Sequence, residues 1–370
     1  MHTPDAVDEL ILTEAATVDG SPTGSRATGT PATGATSGAD APVLCLDAPA
    51  LAVALAGQGR TVLHRADLLA DELDVAAGAT DAGAAVAPRV VESWDDPGLA
   101  DVRLVLLRLP ANLNALDELV EAVAAHCHPE VRIVAGARVK HMTRGMNEVL
   151  AAHFAEVRAS LGVRKCRVLH AAAPLPAART AAAAWPRSAA LPEADLTVVT
   201  YGATFAGNRL DPGTRLLLDR VDGLRPAAGA DRAVDLGCGS GILAAALARH
   251  GWRVTGVDTS RAAVAATAAT AAANGLTVAV RRADALADWP AADLDLVVCN
   301  PPFHVGTAKD STPAFRMIRT AARALRPGGD LWCVYNAHLP YLPTLRRDVG
   351  PTEIVARDRS YLVTHSVRAR

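Results

Sequence analysis

The tetrad Asn300-Pro301-Pro302-Phe303 follows directly on the apolar run DLDLVVC and has the composition of a seat for a planar amine. An exocyclic amine conjugated to a ring is a poor nucleophile, because its lone pair is delocalised. The Asn300 side-chain oxygen and the Pro301 carbonyl can each accept one of its two N–H bonds. Held in that way, the nitrogen pyramidalises and aims its lone pair at an electrophile without a strong general base. Pro301 and Pro302 stiffen the turn before any substrate arrives. Phe303 offers a face for an extruded base, and such stacking recovers roughly 1–3 kcal/mol. Asn-Pro also marks ordinary strand-ending turns, so the tetrad gains its weight from what lies upstream.

Upstream, AVDLGCGSG (233–241) is a short apolar run that breaks into a glycine cluster and continues into ILAAALARHG. Gly237, Gly239 and Gly241 allow a tight turn and a close approach of backbone to ligand. The next apolar run, WRVTGVD, ends in Asp258, 23 residues after Asp235 and placed to accept both ribose hydroxyls of an adenosine-type cofactor. The spacing G-C-G-S-G differs from the dinucleotide pattern G-x-G-x-x-G. A pyrophosphate wants a free helix N-terminus, whereas a sulfonium amino acid wants a carboxylate nearby, and Asp235 supplies one. This form resembles motif I of class I S-adenosylmethionine methyltransferases. In such enzymes the turn after the third strand contacts the adenine edge, which here is RRADAL with Asp284. Asn300-Pro301-Pro302-Phe303 resembles motif IV of those acting on an amino group attached to a π-system. His304 reads as a substrate-positioning residue or a loop cap, and Tyr201 and Phe205 as pocket or core.

The elements that must carry these residues alternate strand and helix, with each motif at the C-terminal end of a strand, where open parallel sheets bind ligands. A similar rhythm fills residues 43–171: strands at PVLCL, DVRLVLLRLP, VRIVAGA and KCRVLHA, with helices near 114–126 and 143–161 between the later ones. No glycine-rich turn follows any of those strands. Residues 17–42 are almost all Thr, Gly, Ala, Ser and Pro and read as disordered, so 1–42 is expected to be an N-terminal tail. Residues 172–194 hold four prolines among small residues and read as a linker, which leaves 195–370 as the second domain.

Several blocks carry a family resemblance when taken in order: TYGATFAGNRLDPGTRLLLDRV (200–221), VDLGCGSG, NPPFHVGTAKD and ALRPGGDLWCVYNAHLPY (324–341). Together they resemble the ribosomal RNA guanine-N2 methyltransferases, over most of residues 195–370. RIVAGARVKHMTRGMNEVLAAHF (132–154) is more similar to the large-subunit enzyme than to the small-subunit one. The resemblance implies an α/β chain of two tandem class I (Rossmann-like) methyltransferase domains, the N-terminal one degenerate. The C-terminal one would be catalytic and closed by a terminal antiparallel hairpin at 353–368. It also implies S-adenosyl-L-methionine as cofactor and ribosomal RNA or a ribosomal subunit particle as partner. Asn300 to Phe303 would form the amine site, and LDPGTRLLL, with Asp211 and Gly213 at its turn, would cover the cofactor.

Length, charge and cysteine usage agree with this. The 370 residues suit two domains. A net charge of −2 excludes a uniformly basic protein, but it is unevenly spread. Residues 1–130 carry 20 acidic and 6 basic side chains, whereas 131–170 carry 2 and 8, and 300–370 carry 5 and 11. The last two segments are candidate phosphate contacts. Arg316, Arg319, Arg323 and Arg326 fall on one helix face, which serves equally as a solvated outer face. Six scattered cysteines without a C-x-x-C pair argue against zinc or a disulfide framework and for a cytoplasmic protein. MHTPDAVDEL lacks a signal-peptide pattern, and no apolar run is long enough for a membrane span. Two rival readings are methyl transfer to another planar amine (adenine N6 or a protein glutamine amide) and a non-catalytic RNA-binding assembly factor.

Overall fold

Two units, Met1–Ala184 and Trp185–Arg370, are each built on a seven-stranded sheet in the computed structural model, which describes residues 3–19, 41–302 and 312–370. In the first unit the elements run α1 (Ala6–Asp19), β1 (Val43–Leu46), α2 (Pro49–Gly57), β2 (Val62–Arg65), α3 (Leu69–Asp81) and β3 (Arg89–Val90). They continue as β4 (Leu104–Arg108), α4 (Leu113–His126), β5 (Arg132–Arg138), α5 (Arg144–His153), β6 (Phe154–Ala159), β7 (Cys166–Pro174) and α6 (Pro176–Thr180). The sheet order is β3-β2-β1-β4-β5-β7-β6, with β7 antiparallel to both its neighbours.

The second unit opens on a hairpin of β8 (Arg187–Leu191) and β9 (Leu196–Thr200), followed by α7 (Pro212–Val221). Then come β10 (Arg232–Leu236), α8 (Ile242–Arg249), β11 (Arg253–Asp258), α9 (Arg261–Ala273), β12 (Ala279–Arg282) and β13 (Leu294–Cys299). The chain ends with α10 (Thr312–Ala324), β14 (Leu325–Asn336), α11 (Tyr341–Asp348), β15 (Thr352–Arg357) and β16 (Tyr361–Val367). Its sheet order, β12-β11-β10-β13-β14-β16-β15, repeats the first strand for strand, including the antiparallel pair β15–β16 at one edge.

The central strand β13, LDLVVC, is buried along its whole length. A parallel strand covered by helices on both faces has no solvent side, which is why its sequence is a continuous apolar run rather than an alternation. Successive residues feed opposite cores: Val234 and Leu236 pack on one face of the sheet, Ala233 on the other. Helix α10 buries Ala314, Met317, Ile318 and Ala321 and turns its arginines outward, as its 3.6-residue periodicity requires.

Three expectations change. The N-terminal segment contains α1, so residues 6–19 are not part of a tail. Val7, Leu10, Ile11 and Ala15 form one apolar stripe that is buried in the first unit's core together with Val134 and Val168 of β5 and β7. The rest of the expected tail, residues 20–40, lies outside the described residues. The helix expected over 143–161 ends at His153, where Phe154 begins β6 and pairs with β7. The expected linker is occupied by α6 and β8, and β8 pairs along its length with β9.

Candidate active site

The C-terminal ends of β10, β11 and β13 converge on the glycine turn. Strand β10 delivers Asp235, which is 1% exposed, and its Oδ2 accepts the Ala244 N–H at 2.9 Å. Its Oδ1 is buried and has no hydrogen-bond partner among the described residues. Burial pushes the Asp235 carboxyl up to about 7, the negative charge of Asp258 adds to the rise, and the Ala244 bond works against it. A carboxylate left this costly to ionise suits a site that receives a cation.

Asp258 closes the turn from the next strand. Its Oδ2 accepts the Gly239 N–H at 3.2 Å and its Oδ1 accepts the Ser260 N–H at 3.0 Å. The glycines divide the work. Gly241 has φ +79°, and a Cβ there would lie 2.7 Å from the Thr267 Cα, so this position lets α8 approach α9. Gly239 has φ +53° and nothing within 4 Å of a notional Cβ, so it borders open space beside Asp258. Gly237 lies between, near Met317 and the Asn300 carbonyl. A glycine cradle with one open position, an orphaned buried carboxylate oxygen and a second carboxylate at its rim together fit a cationic nucleoside-type cofactor.

Asn300 begins the turn after β13, with Pro301 buried and Pro302 exposed behind it. Its Nδ2 donates to Thr214 Oγ1 at 2.9 Å and to Asp211 Oδ2 at 3.2 Å, while its Oδ1 is buried without a partner among the described residues. Asp211 caps α7 by accepting the Thr214 N–H at 3.1 Å. Sequence reading placed Asp211 over the cofactor and passed over Thr214. The D-P-x-T order at a helix start was the signal available, and it marks a cap without saying what else the cap holds. Phe303 and His304, expected at the substrate face, lie outside the described residues.

Asp284 follows Ala283, whose N–H donates to the Asp258 carbonyl at 2.9 Å. It lies just after β12 and forms an ion pair with Arg316 of α10. Arg323 donates to the carbonyls of Leu286, Ala287 and Trp289, and Arg326 pairs with Asp295. Three of the four arginines expected along one face of a single helix are thus engaged within the unit, and Arg326 lies beyond α10, in β14. Tyr201 is half-buried and Phe205 is 67% exposed, so Phe205 is not core.

The strand registers locate the same positions in the first unit. Leu46 pairs with Arg65 and Leu107, as Leu236 pairs with Val257 and Cys299. Cys45 then stands where Asp235 does, Ala66 where Asp258 does, and Arg108 where Asn300 does. The five-residue turn 237–241 shrinks to Asp47 and Ala48 before Pro49 starts α2. At these register-equivalent positions the first unit has neither the two carboxylates nor the amide of the second.

The family model described as "Methyltransferase small domain" matches residues 195–365, and the "RLMG N-terminal domain" matches residues 39–175. The chain is 36% identical to the ribosomal RNA large subunit methyltransferase G of Streptomyces coelicolor, over 74% of each protein. It is 38% identical to the protein of the same name from Ectopseudomonas mendocina, over 70% of this chain and 69% of that one. Among solved structures, a T. thermophilus 16S rRNA N2 methyltransferase in complex with AdoMet and guanosine superimposes with a TM-score of 0.72 at 25% identity. That match covers 89% of this chain and 88% of the other. With a duplicated methyltransferase fold of which the second copy keeps the cofactor turn, the chain belongs to the family of the ribosomal RNA large subunit methyltransferases G.

Proposed function

We propose that the protein transfers a methyl group from S-adenosylmethionine to the exocyclic N2 of a guanine in large-subunit ribosomal RNA. The observation that carries this reading is the Asn300 amide, whose acceptor oxygen is buried and without a partner among the described residues. Such an acceptor costs free energy unless a donor arrives, and an aryl amine brings two. S-adenosylmethionine supplies an electrophilic methyl on a sulfonium. Asp235 and Asp258 would hold it, Asp235 toward its cationic end and Asp258 toward its ribose. Asn300 Oδ1 and the Pro301 carbonyl take the two N–H groups of the amine and turn its lone pair toward the methyl. With both N–H groups so held, the lone pair of the amine would be free for the methyl that the cofactor would supply, and its proton would leave to solvent.

The first unit supports the reading through charge. Arg138, Lys140, Arg144 and Lys165 are exposed around the end of β5, where the Val139 N–H donates to the Lys165 carbonyl at 2.9 Å. None of these four forms an ion pair among the described residues. They supply a phosphate-binding surface on the first unit. Ribosomal RNA in the cytoplasm is the matching polyanion. Among the described residues no helix is long and apolar enough to cross a membrane.

Incubation with labelled S-adenosylmethionine and transcripts of large- or small-subunit rRNA, followed by nucleoside mass spectrometry, tests the proposal. N2-methylguanosine in the large-subunit transcript is expected. N6-methyladenosine, methylated protein or no product contradicts it.

A further inference from the structure

An amide has two unlike ends, and a site that uses its oxygen must prevent it from turning over. Asn300 meets this requirement through two neighbours on α7. The end facing Asp211 Oδ2 and Thr214 Oγ1, at 3.2 and 2.9 Å, is opposite a carboxylate, which accepts and cannot donate. A half-turn of the amide would put Oδ1 against that carboxylate and break the bond to Asp211, while the Thr214 hydroxyl, which can donate or accept, would anchor either end. Asp211 is itself held by its capping bond from the Thr214 N–H. A Cβ on Gly213 would come within 3.0 Å of Asp211 Oδ2 and 3.1 Å of the Tyr361 ring, so the start of α7 is packed without slack.

The first unit repeats the device with another outcome. Arg108, at the position of Asn300, donates to Asp5 Oδ1 at 2.8 Å and Asp8 Oδ1 at 2.9 Å, and Asp5 starts α1 as Asp211 starts α7. The acceptors again lie three residues apart. A guanidinium has donors only, so the latch survives there and no acceptor is left over for an amine.

We propose that Asp211 and Thr214 are positioning residues that fix the Asn300 amide with its oxygen toward the substrate amine, an inference that rests on Asn300 being the amine acceptor. Thr214→Val removes the nearer acceptor at almost constant volume, and Thr214→Ser keeps it. Asp211→Asn retains a good helix cap and adds a donor that rewards the reversed amide. Loss of one such bond corresponds to about tenfold in rate. Thr214→Val is therefore expected to lower kcat about tenfold and the Asp211→Asn/Thr214→Val pair about a hundredfold, each lost bond counting about the same.

In Thr214→Val, cofactor Kd and RNA KM should stay close to wild type, and Thr214→Ser should restore most of kcat. Unchanged kcat in the double variant, with Asn300→Ala inactive, overturns the positioning role alone. A fall in kcat matched by a fall in cofactor affinity or stability, and not rescued by serine, also overturns it in favour of a structural role. Full activity in Asn300→Ala overturns the underlying reading instead.

Discussion

Arg108 occupies in the first sheet the strand-end position that Asn300 occupies in the second. Each follows the residue paired with the last leucine of the neighbouring strand, Leu107 opposite Leu46 and Cys299 opposite Leu236. Two copies of one topology have thus diverged at the edge where open parallel sheets bind ligands. The first copy kept its helix latch and lost its acceptor, its carboxylates and its glycine turn.

That divergence sets the cofactor stoichiometry. Calorimetry should find one S-adenosylmethionine per chain, because Ala66 stands where Asp258 would be needed in the first unit. Asp258→Ala should weaken binding at least tenfold, roughly 1.4 kcal/mol. Two sites per chain, or unchanged affinity in the variant, would remove Asp258 from the role assigned to it.

Asp235 should leave a signature in the pH dependence of stability. Its carboxyl is raised from the ordinary carboxylate range to about 7 in the folded protein, chiefly by burial. Folding therefore favours the protonated form. The favourable contribution is complete below the unfolded value and is lost as pH rises through about 7. Asp235→Asn, which cannot ionise, should gain thermal stability relative to the cofactor-free wild type as pH rises from 4 to 8, on the order of 1 kcal/mol or more. A difference in midpoint that stays constant over that range contradicts the assignment.

The basic surface of the first unit predicts a change in salt dependence. Replacing Arg138, Lys140 and Lys165 by alanine should reduce the slope of log affinity against log salt by about 2 to 3, at roughly 0.7–0.9 per lost phosphate contact. Turnover at saturating RNA should persist. An unchanged slope places the RNA elsewhere.

Much of the second unit was legible in the sequence, because its motifs sit at strand ends and strand ends are marked by periodicity. Asp235, Asp258 and Asn300 come together where their spacing placed them. Asp284 pairs with Arg316, a contact between residues 32 apart that no local pattern announces. The same holds for Arg323 and Arg326, whose helical spacing suggested a shared outward face while their partners are carbonyls and a carboxylate inside the unit. Helix α1 was hidden by the Thr/Gly/Ser/Pro composition of the residues that follow it. Its apolar stripe is short, and only the tertiary contacts of Val7 and Ile11 reveal its purpose. Thr214 was invisible for a related reason: a hydroxyl in a helix's first turn reads as capping, and its bond to Asn300 spans 86 residues.

The most direct test of the central claim is single-turnover methyl transfer by Asn300→Ala on large-subunit rRNA, with cofactor affinity measured on the same preparation. The account predicts no N2-methylguanosine while S-adenosylmethionine binds within a few-fold of wild type. Undiminished formation of N2-methylguanosine by that variant would contradict it.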